Sequence, residues 1–295
     1  MARTLAGGIV ALLLAATSLA VEPPFYSNGG GLADPTNPYL ATGTVTLSGV
    51  PAPAGFAWSE CPADSPTSAN ALGGFAAHRT GSSGAFRLAD DFTVHPGELF
   101  DLDAIAIFAY QAGSDPDANP FPDVNLRIWS GRPGDQGSAV IFGDTTTNRL
   151  LSATNTNLYR IFNTIVDPDG PGPGLPPEPG TTRLIRELRL AADITLGPGT
   201  YWLDWQIIPT GSGTAFTPAI SIPGVRGLPG WNARQFIPGS TIPPVPPGWE
   251  NVIDGGTPPQ VADVPQDLPF LLFGTYTPEP SSLALLLVAA LGRRR

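Results

Sequence analysis

Between residues 85 and 222 the chain repeats one unit: a short apolar-rich segment, a break of Gly, Pro, Asn or Asp, then another segment. Residues 86–94 (FRLADDFTV), 99–110, 124–129, 138–142, 158–166, 183–190, 201–208 and 215–222 follow one another in this way. Such segments, rich in β-branched and aromatic residues and punctuated at this spacing, predict antiparallel strands. No segment between the chain ends carries a helical period. The expected fold is all-β, a two-sheet antiparallel β-sandwich, jelly-roll-like, with short helical targeting segments at the two ends.

Alternation refines the expectation. In 158–166, Tyr159, Ile161 and Ile165 share one face and Arg160, Phe162 and Thr164 the other, the pattern of a half-buried strand. Residues 103–110 are apolar on both faces after their start, as a strand covered on both sides would be. Trp202 and Trp205 fall on opposite faces of one strand, so at least one belongs to the core. Residues 21–84 are broken by Gly29, Gly30, Gly31 and several prolines into a loop-rich region, in which only 42–50 reads as a strand, with Val45 and Leu47 on one face. The sandwich is expected over 85–276. It includes a Pro-rich loop at 223–265 and a final strand within 266–276 (QDLPFLLFGTY) that returns to the same fold.

Composition decides between this fold and disorder. Glycine and proline number 35 each, close to a low-complexity composition, but 14 Phe, 6 Trp and 6 Tyr supply enough buried area for a core. The Gly and Pro therefore read as turn punctuation. There is no lysine, and acids outnumber arginines 25 to 15, giving a net charge of −10. Such a field repels nucleic acid and anionic lipid and excludes both as partners of the mature chain. Cys61 stands alone, so no intramolecular disulfide is possible; it reads as a buried or tolerated loop residue.

The two ends follow another logic. Residues 1–20 carry one positive charge, an apolar stretch and Ser18-Leu19-Ala20, the pattern of a secretory signal peptide with cleavage between Ala20 and Val21. No twin arginine is present, so general secretion is the expected route. At the other end stand Pro278, Glu279 and Pro280, an apolar run over 281–292, and Arg293, Arg294 and Arg295. This order of a Pro-flanked carboxylate, a greasy segment and a cationic cluster resembles the PEP-CTERM sorting signal of exported bacterial proteins, over 277–295. The resemblance implies a Gram-negative-type envelope and a membrane-embedded exosortase that recognises Pro278-Glu279-Pro280 and removes the tail. The apolar run falls short of the ~20 residues of a transmembrane helix, so only transient inner-membrane contact is expected, with the three arginines snorkelling to the interface. LADDFTV, NLRIWSGRPG and LGPGTYWLDWQ, in that order, also resemble the β-sandwich module of many proteins that bear this signal. That second likeness implies a fold and no activity.

The interior offers little catalytic chemistry. His78 and His95 are the two histidines and stand in no metal-ligand spacing. No G-x-S-x-G elbow occurs. Paired carboxylates are the remaining enzymatic option. Asp90 and Asp91, adjacent in a strand, point to opposite faces, and Asp101 and Asp103 share a face but read as strand-edge solvation. Asp115, Asp117, Asn119 and Asp123 place oxygens at alternate positions of one loop, a pattern suited to a structural calcium, although Pro120 and Leu126 break the EF-hand arrangement. Trp129, Trp231 and Trp249, at a strand end and in Gly/Pro loops, are candidates for stacking on sugar rings. The sequence thus points to a non-enzymatic exported protein, delivered to the cell surface or extracellular polysaccharide matrix of a biofilm. A carbohydrate-binding module is the first alternative, marked by exposed coplanar Trp rings, and a secreted glycan hydrolase the second, marked by two convergent carboxylates.

Overall fold

The computed structural model describes residues 22–61, 73–80, 85–114, 117–161, 182–211, 213–223, 225–241, 244–245, 247–254 and 263–278. The signal segment 1–20 with its cleavage position, Glu279, Pro280, the apolar tail and Arg293, Arg294 and Arg295 lie outside these residues. Among the described residues no helix is long and apolar enough to cross a membrane.

The described residues form strands β1 (Tyr26–Ser27), β2 (Ala57–Glu60), β3 (Phe75–Ala76), β4 (Arg87–Val94), β5 (Glu98–Ala109), β6 (Asp123–Trp129), β7 (Val140–Gly143), β8 (Leu150–Ile161) and β9 (Leu184–Leu196). They continue with β10 (Gly199–Ile208), β11 (Phe216–Thr217), β12 (Arg234–Ile237), β13 (Ser240–Thr241), β14 (Pro244–Val245), β15 (Gly248–Asn251), β16 (Ile253–Asp254), β17 (Val264–Pro265) and β18 (Phe270–Pro278). Two six-stranded sheets carry the fold, in the orders β1-β18-β5-β9-β8-β2 and β15-β12-β4-β10-β6-β7. Every pair in them is antiparallel except β2 with β8.

One apolar cluster joins the two sheets. Phe100, Leu102, Ile105, Ile107, Leu188, Leu190, Phe270 and Leu272 come from the first, and Leu88, Phe92, Leu126, Ile128, Leu203 and Trp205 from the second. Each such side chain contributes ~1.5–3 kcal/mol by leaving water. Phe100 and Leu102 have even numbers while Ile105 and Ile107 have odd ones, yet all four reach this core. A bulge between Leu102 and Ala104 shifts the register of β5 against β9 and resets which side chains face inward. The opposite face of β5 is covered too, since Ala104, Ala106, Phe108 and Tyr110 pack with Leu40, Ile185, Leu271 and Phe273. This double coverage is what the unbroken apolar run predicts. Trp202 and Trp205 are both buried.

Several sequence expectations need correction. Residues 42–50 form no strand: the chain turns at Gly49, whose φ is +87°, and Val50 donates its N–H to the Thr46 hydroxyl at 2.8 Å. Val45 and Leu47 consequently stand exposed. The loop-rich region nevertheless supplies both edge strands of the first sheet, β1 and β2. The Pro-rich stretch 223–265 supplies β12 and β15 to the second. The strand placed at 158–166 runs instead over Leu150–Ile161, through a Thr/Asn-rich segment that pairs with β9 across two register shifts. Phe162, Thr164 and Ile165 lie outside the described residues. Arg160 does not face water: it is fully buried and donates to Gly73 O, Ser59 Oγ, Glu60 O and Ser221 Oγ at 2.8, 2.9, 3.0 and 2.5 Å. Cys61 is buried.

A candidate cleft at an open strand edge

Strand β12 pairs with β4 only from Arg87 to Ala89, while β10 pairs with β4 from Leu88 to Val94. Beyond Ala89 one edge of β4 therefore has no strand beside it among the described residues. Its polar groups are met from elsewhere: Asp91 donates its N–H to the Asp90 side chain at 2.9 Å, and Asp90 also accepts from Leu268 N at 2.7 Å and Asn28 Nδ2 at 2.8 Å. At this interrupted edge lies a cleft of about 540 Å³, walled by β1 and the turn after it, by 91–95, by 228–231 and by Asp267.

The cleft combines aromatic, acidic and apolar groups. Tyr26, stacked on Phe270 at 6.0 Å and 23°, and Trp231 are its aromatic walls, and Asn28, His95, Asp91 and Asp267 its main polar ones. Leu32 and Leu228 also line it, and they stand 42% and 45% exposed. Two large aliphatic side chains left in water at one opening mark a place where apolar surface awaits cover. Among the described residues no arginine lines the cleft.

Its electrostatics are those of crowded acids. Burial, the neighbouring Asp91 and related contacts raise the Asp267 carboxyl to about 7, against a hydrogen bond from Asn232 N at 2.7 Å that favours the ionised form. Asp91 is raised by burial, with relief from Asn232 and Arg132. Asp90 is raised well above the carboxylate range by burial and by Asp267. Burial and the Asp90 and Asp91 charges raise the Tyr26 phenol as well. A carboxyl that holds its proton near neutrality in a cleft is a recurrent mark of ligand-handling sites.

Asp90 and Asp91 do point to opposite sides of β4, but Asp91 has a second acidic neighbour. Asp267 lies 176 positions further along the chain, and sequence reasoning missed it; only the fold brings the two to one cleft. Asp101 and Asp103 are exposed on β5, and Asp101 accepts from Thr195 Oγ1 at 2.8 Å.

Of the three tryptophans expected to stack on sugars, Trp231 is in the cleft wall and 8% exposed. Trp129 and Trp249 are brought together on the outer face of the second sheet, with ring centroids 6.4 Å apart at 87°. They are perpendicular and form no coplanar platform. Trp129 donates Nε1 to Asp204 at 2.9 Å and lies beneath the Arg127 guanidinium at 4.9 Å. Asp204, fully buried, holds Arg87 at 2.5 Å and Arg127 at 2.6 Å. Trp249 packs against Phe236 at 5.6 Å.

The calcium candidates divide. Asp115 lies outside the described residues. Asn119 uses its side-chain oxygen to accept from Phe121 N at 3.0 Å, and Asp123 begins β6 opposite Ile208. Among the described residues no group of three or more His, Cys, Asp or Glu is placed to hold a metal ion. Compared with known proteins, the chain matches no family model, no curated protein and no solved structure.

Proposed function

We propose that this is an exported, non-enzymatic protein, with a jelly-roll-like sandwich that binds saccharide through the cleft at the open edge of β4. The observation that carries the binding reading is that cleft: two aromatic side chains, hydrogen-bonding carboxyls and two exposed leucines converge there. Sugars present this same mixture, with apolar C–H faces for rings and aliphatic side chains and hydroxyls for carboxylates. Delivery rests on the two chain ends. The 1–20 segment would engage the secretion machinery, and Pro278-Glu279-Pro280 would be read by an exosortase during transient membrane contact, releasing the protein to the cell surface or polysaccharide matrix.

Pull-down on insoluble polysaccharides together with an oligosaccharide array tests binding: retention on at least one glycan is expected, and silence across all of them removes the reading. Mass spectrometry of the exported protein tests delivery, because Arg293, Arg294 and Arg295 still attached would rule out processing. A second reading, a glycan hydrolase, is favoured by Asp91 and Asp267 bordering one cleft. Release of new reducing ends from a bound glycan, abolished by Asp267→Asn, would replace the first reading with this one.

A further inference from the structure

We propose that the cleft is selective for amino-sugar polymers and seats a protonated sugar amine between Asp91 and Asp267. This rests on the saccharide reading above and adds the class of sugar to it.

The charge of the cleft carries the inference. Among the described residues its titratable lining beside Tyr26 is Asp91, Asp267 and His95, with no arginine. Asp90 lies buried beneath them and is tied to Asn28 and to Leu268 N. Uronate or sulfate sugars would add further negative charge to this acidic space and are disfavoured. A neutral sugar would satisfy hydrogen bonds but bring no positive charge to two partly desolvated acids that line one cleft, where Asp91 raises the proton affinity of Asp267. An ammonium group placed between them relieves both, through charge-assisted hydrogen bonds with each. Tyr26 and Trp231 supply ring surfaces beside that position, and Leu32 and Leu228 supply apolar cover at the opening.

The groups that act on this pair are Asp90 from within β4, Tyr26 from β1, Asn232 beside Asp267, and Arg132, whose charge steadies Asp91. Asp267 takes up a proton at about 7, so acidification removes one half of the amine's seat. Alkaline solution removes the proton from the amine itself. Affinity for an amino sugar should therefore peak near neutrality, whereas affinity for a neutral sugar should stay flatter with pH.

Isothermal titration of the full chain at pH 7 with the hexamers of glucosamine, N-acetylglucosamine and glucose, and with a galacturonate oligomer, tests this. The glucosamine hexamer is expected to bind about tenfold or more tighter than the others. Asp267→Asn is expected to bring the glucosamine and N-acetylglucosamine hexamers within about twofold of each other. Equal binding of the three hexamers overturns the amine seat and leaves the saccharide reading standing. Tightest binding of the galacturonate oligomer overturns the amine seat as well. A glucosamine preference that survives in the Asp91→Asn/Asp267→Asn double variant also overturns it, by tracing the preference to the overall acidity of the chain. If no oligomer binds the wild-type chain, the saccharide reading falls together with the proposal. Asp267→Asn keeps an oxygen for the Asn232 N–H, and a thermal melt of each variant separates lost binding from lost fold.

Discussion

The Asn28 side-chain amide donates to the Asp90 carboxylate at 2.8 Å, joining positions 62 residues apart. The same nitrogen reaches Leu268 O at 3.0 Å, so one buried side chain ties the turn after β1 to β4 and to the approach to β18. Asn28→Ala leaves Leu268 O and an Asp90 oxygen each short of a donor. A loss of about 1–3 kcal/mol in urea unfolding is expected, with faster amide exchange in β1. An unchanged midpoint would show that the tie has no energetic weight.

Asp90 gives a sharper test, because burial and the nearby Asp267 raise its carboxyl well above the ordinary range while three donors surround it. Asp90→Asn removes the cost of burying a charge, yet it is expected to destabilise. Asp90 meets the Asp91 and Leu268 N–H groups and the Asn28 amide, all of them donors. The new NH₂ must face one of these donors whichever way it turns. A cost of ~1–3 kcal/mol is expected; a variant as stable as wild type would mean the network tolerates a second donor.

Asp267 makes stability depend on pH in a stated direction. In the unfolded chain it ionises near ~4, and in the folded chain near about 7. Between these values the native state holds a proton that the unfolded state has lost, so stability falls as pH rises from ~4 and levels off above about 7. Asp90, raised in the same way, adds to the fall. Asp267→Asn should weaken the decline and melt above wild type at pH 8, by roughly 1–3 kcal/mol, while matching it at pH 4. Parallel melting curves for the two proteins across this range would contradict the assignment.

Asp204 sits under two arginines and an indole, with no exposed surface of its own. Asp204→Ala strands the buried Arg87 charge and is expected to cost about 3–5 kcal/mol. Trp129 loses its acceptor in the same variant, so its fluorescence should shift to the red as water reaches the indole. Loss of stability with no spectral change would place the damage elsewhere.

Gly274 lies at the bulge where β18 shifts register against β5, with φ at +135°. A Cβ there would meet the Asp101 carbonyl oxygen. Gly274→Ala combines an unfavourable backbone angle with that clash and is expected to cost ~1–3 kcal/mol by thermal melt.

The parts of this fold that were legible in the sequence are those that write a period. β4, β5, β6, β10 and β18 alternate or run apolar for long enough that their positions follow from side chains alone. β1, β2, β12 and β15 are two to four residues long and are held by backbone pairing to distant partners, which leaves no trace in hydropathy. Arg160 failed for the opposite reason. Its alternation is regular, but carbonyl and hydroxyl oxygens of the segments around it accept from the guanidinium in place of water, and a buried arginine looks like an exposed one in sequence. The candidate site was half visible. Residue type alone points to Trp231, Asp91 is discounted because it and Asp90 point to opposite faces of one strand, and Asp267 gives no signal because its relation to Asp91 exists only in three dimensions.

The place of β18, between β1 and β5, sets the timing of folding. β1 has no strand to lie against, and Asn28 no carbonyl to meet, until a further 240 residues have been made. The first sheet therefore cannot close progressively from its N-terminal side, and contacts this remote in sequence are slow to form. A chain delivered across a membrane from its N-terminus would travel with its first edge and its cleft unmade, and would complete both in one late step on the far side. That step joins Tyr26 to one wall and Asp267 to the other, so the cleft arrives only with the finished fold.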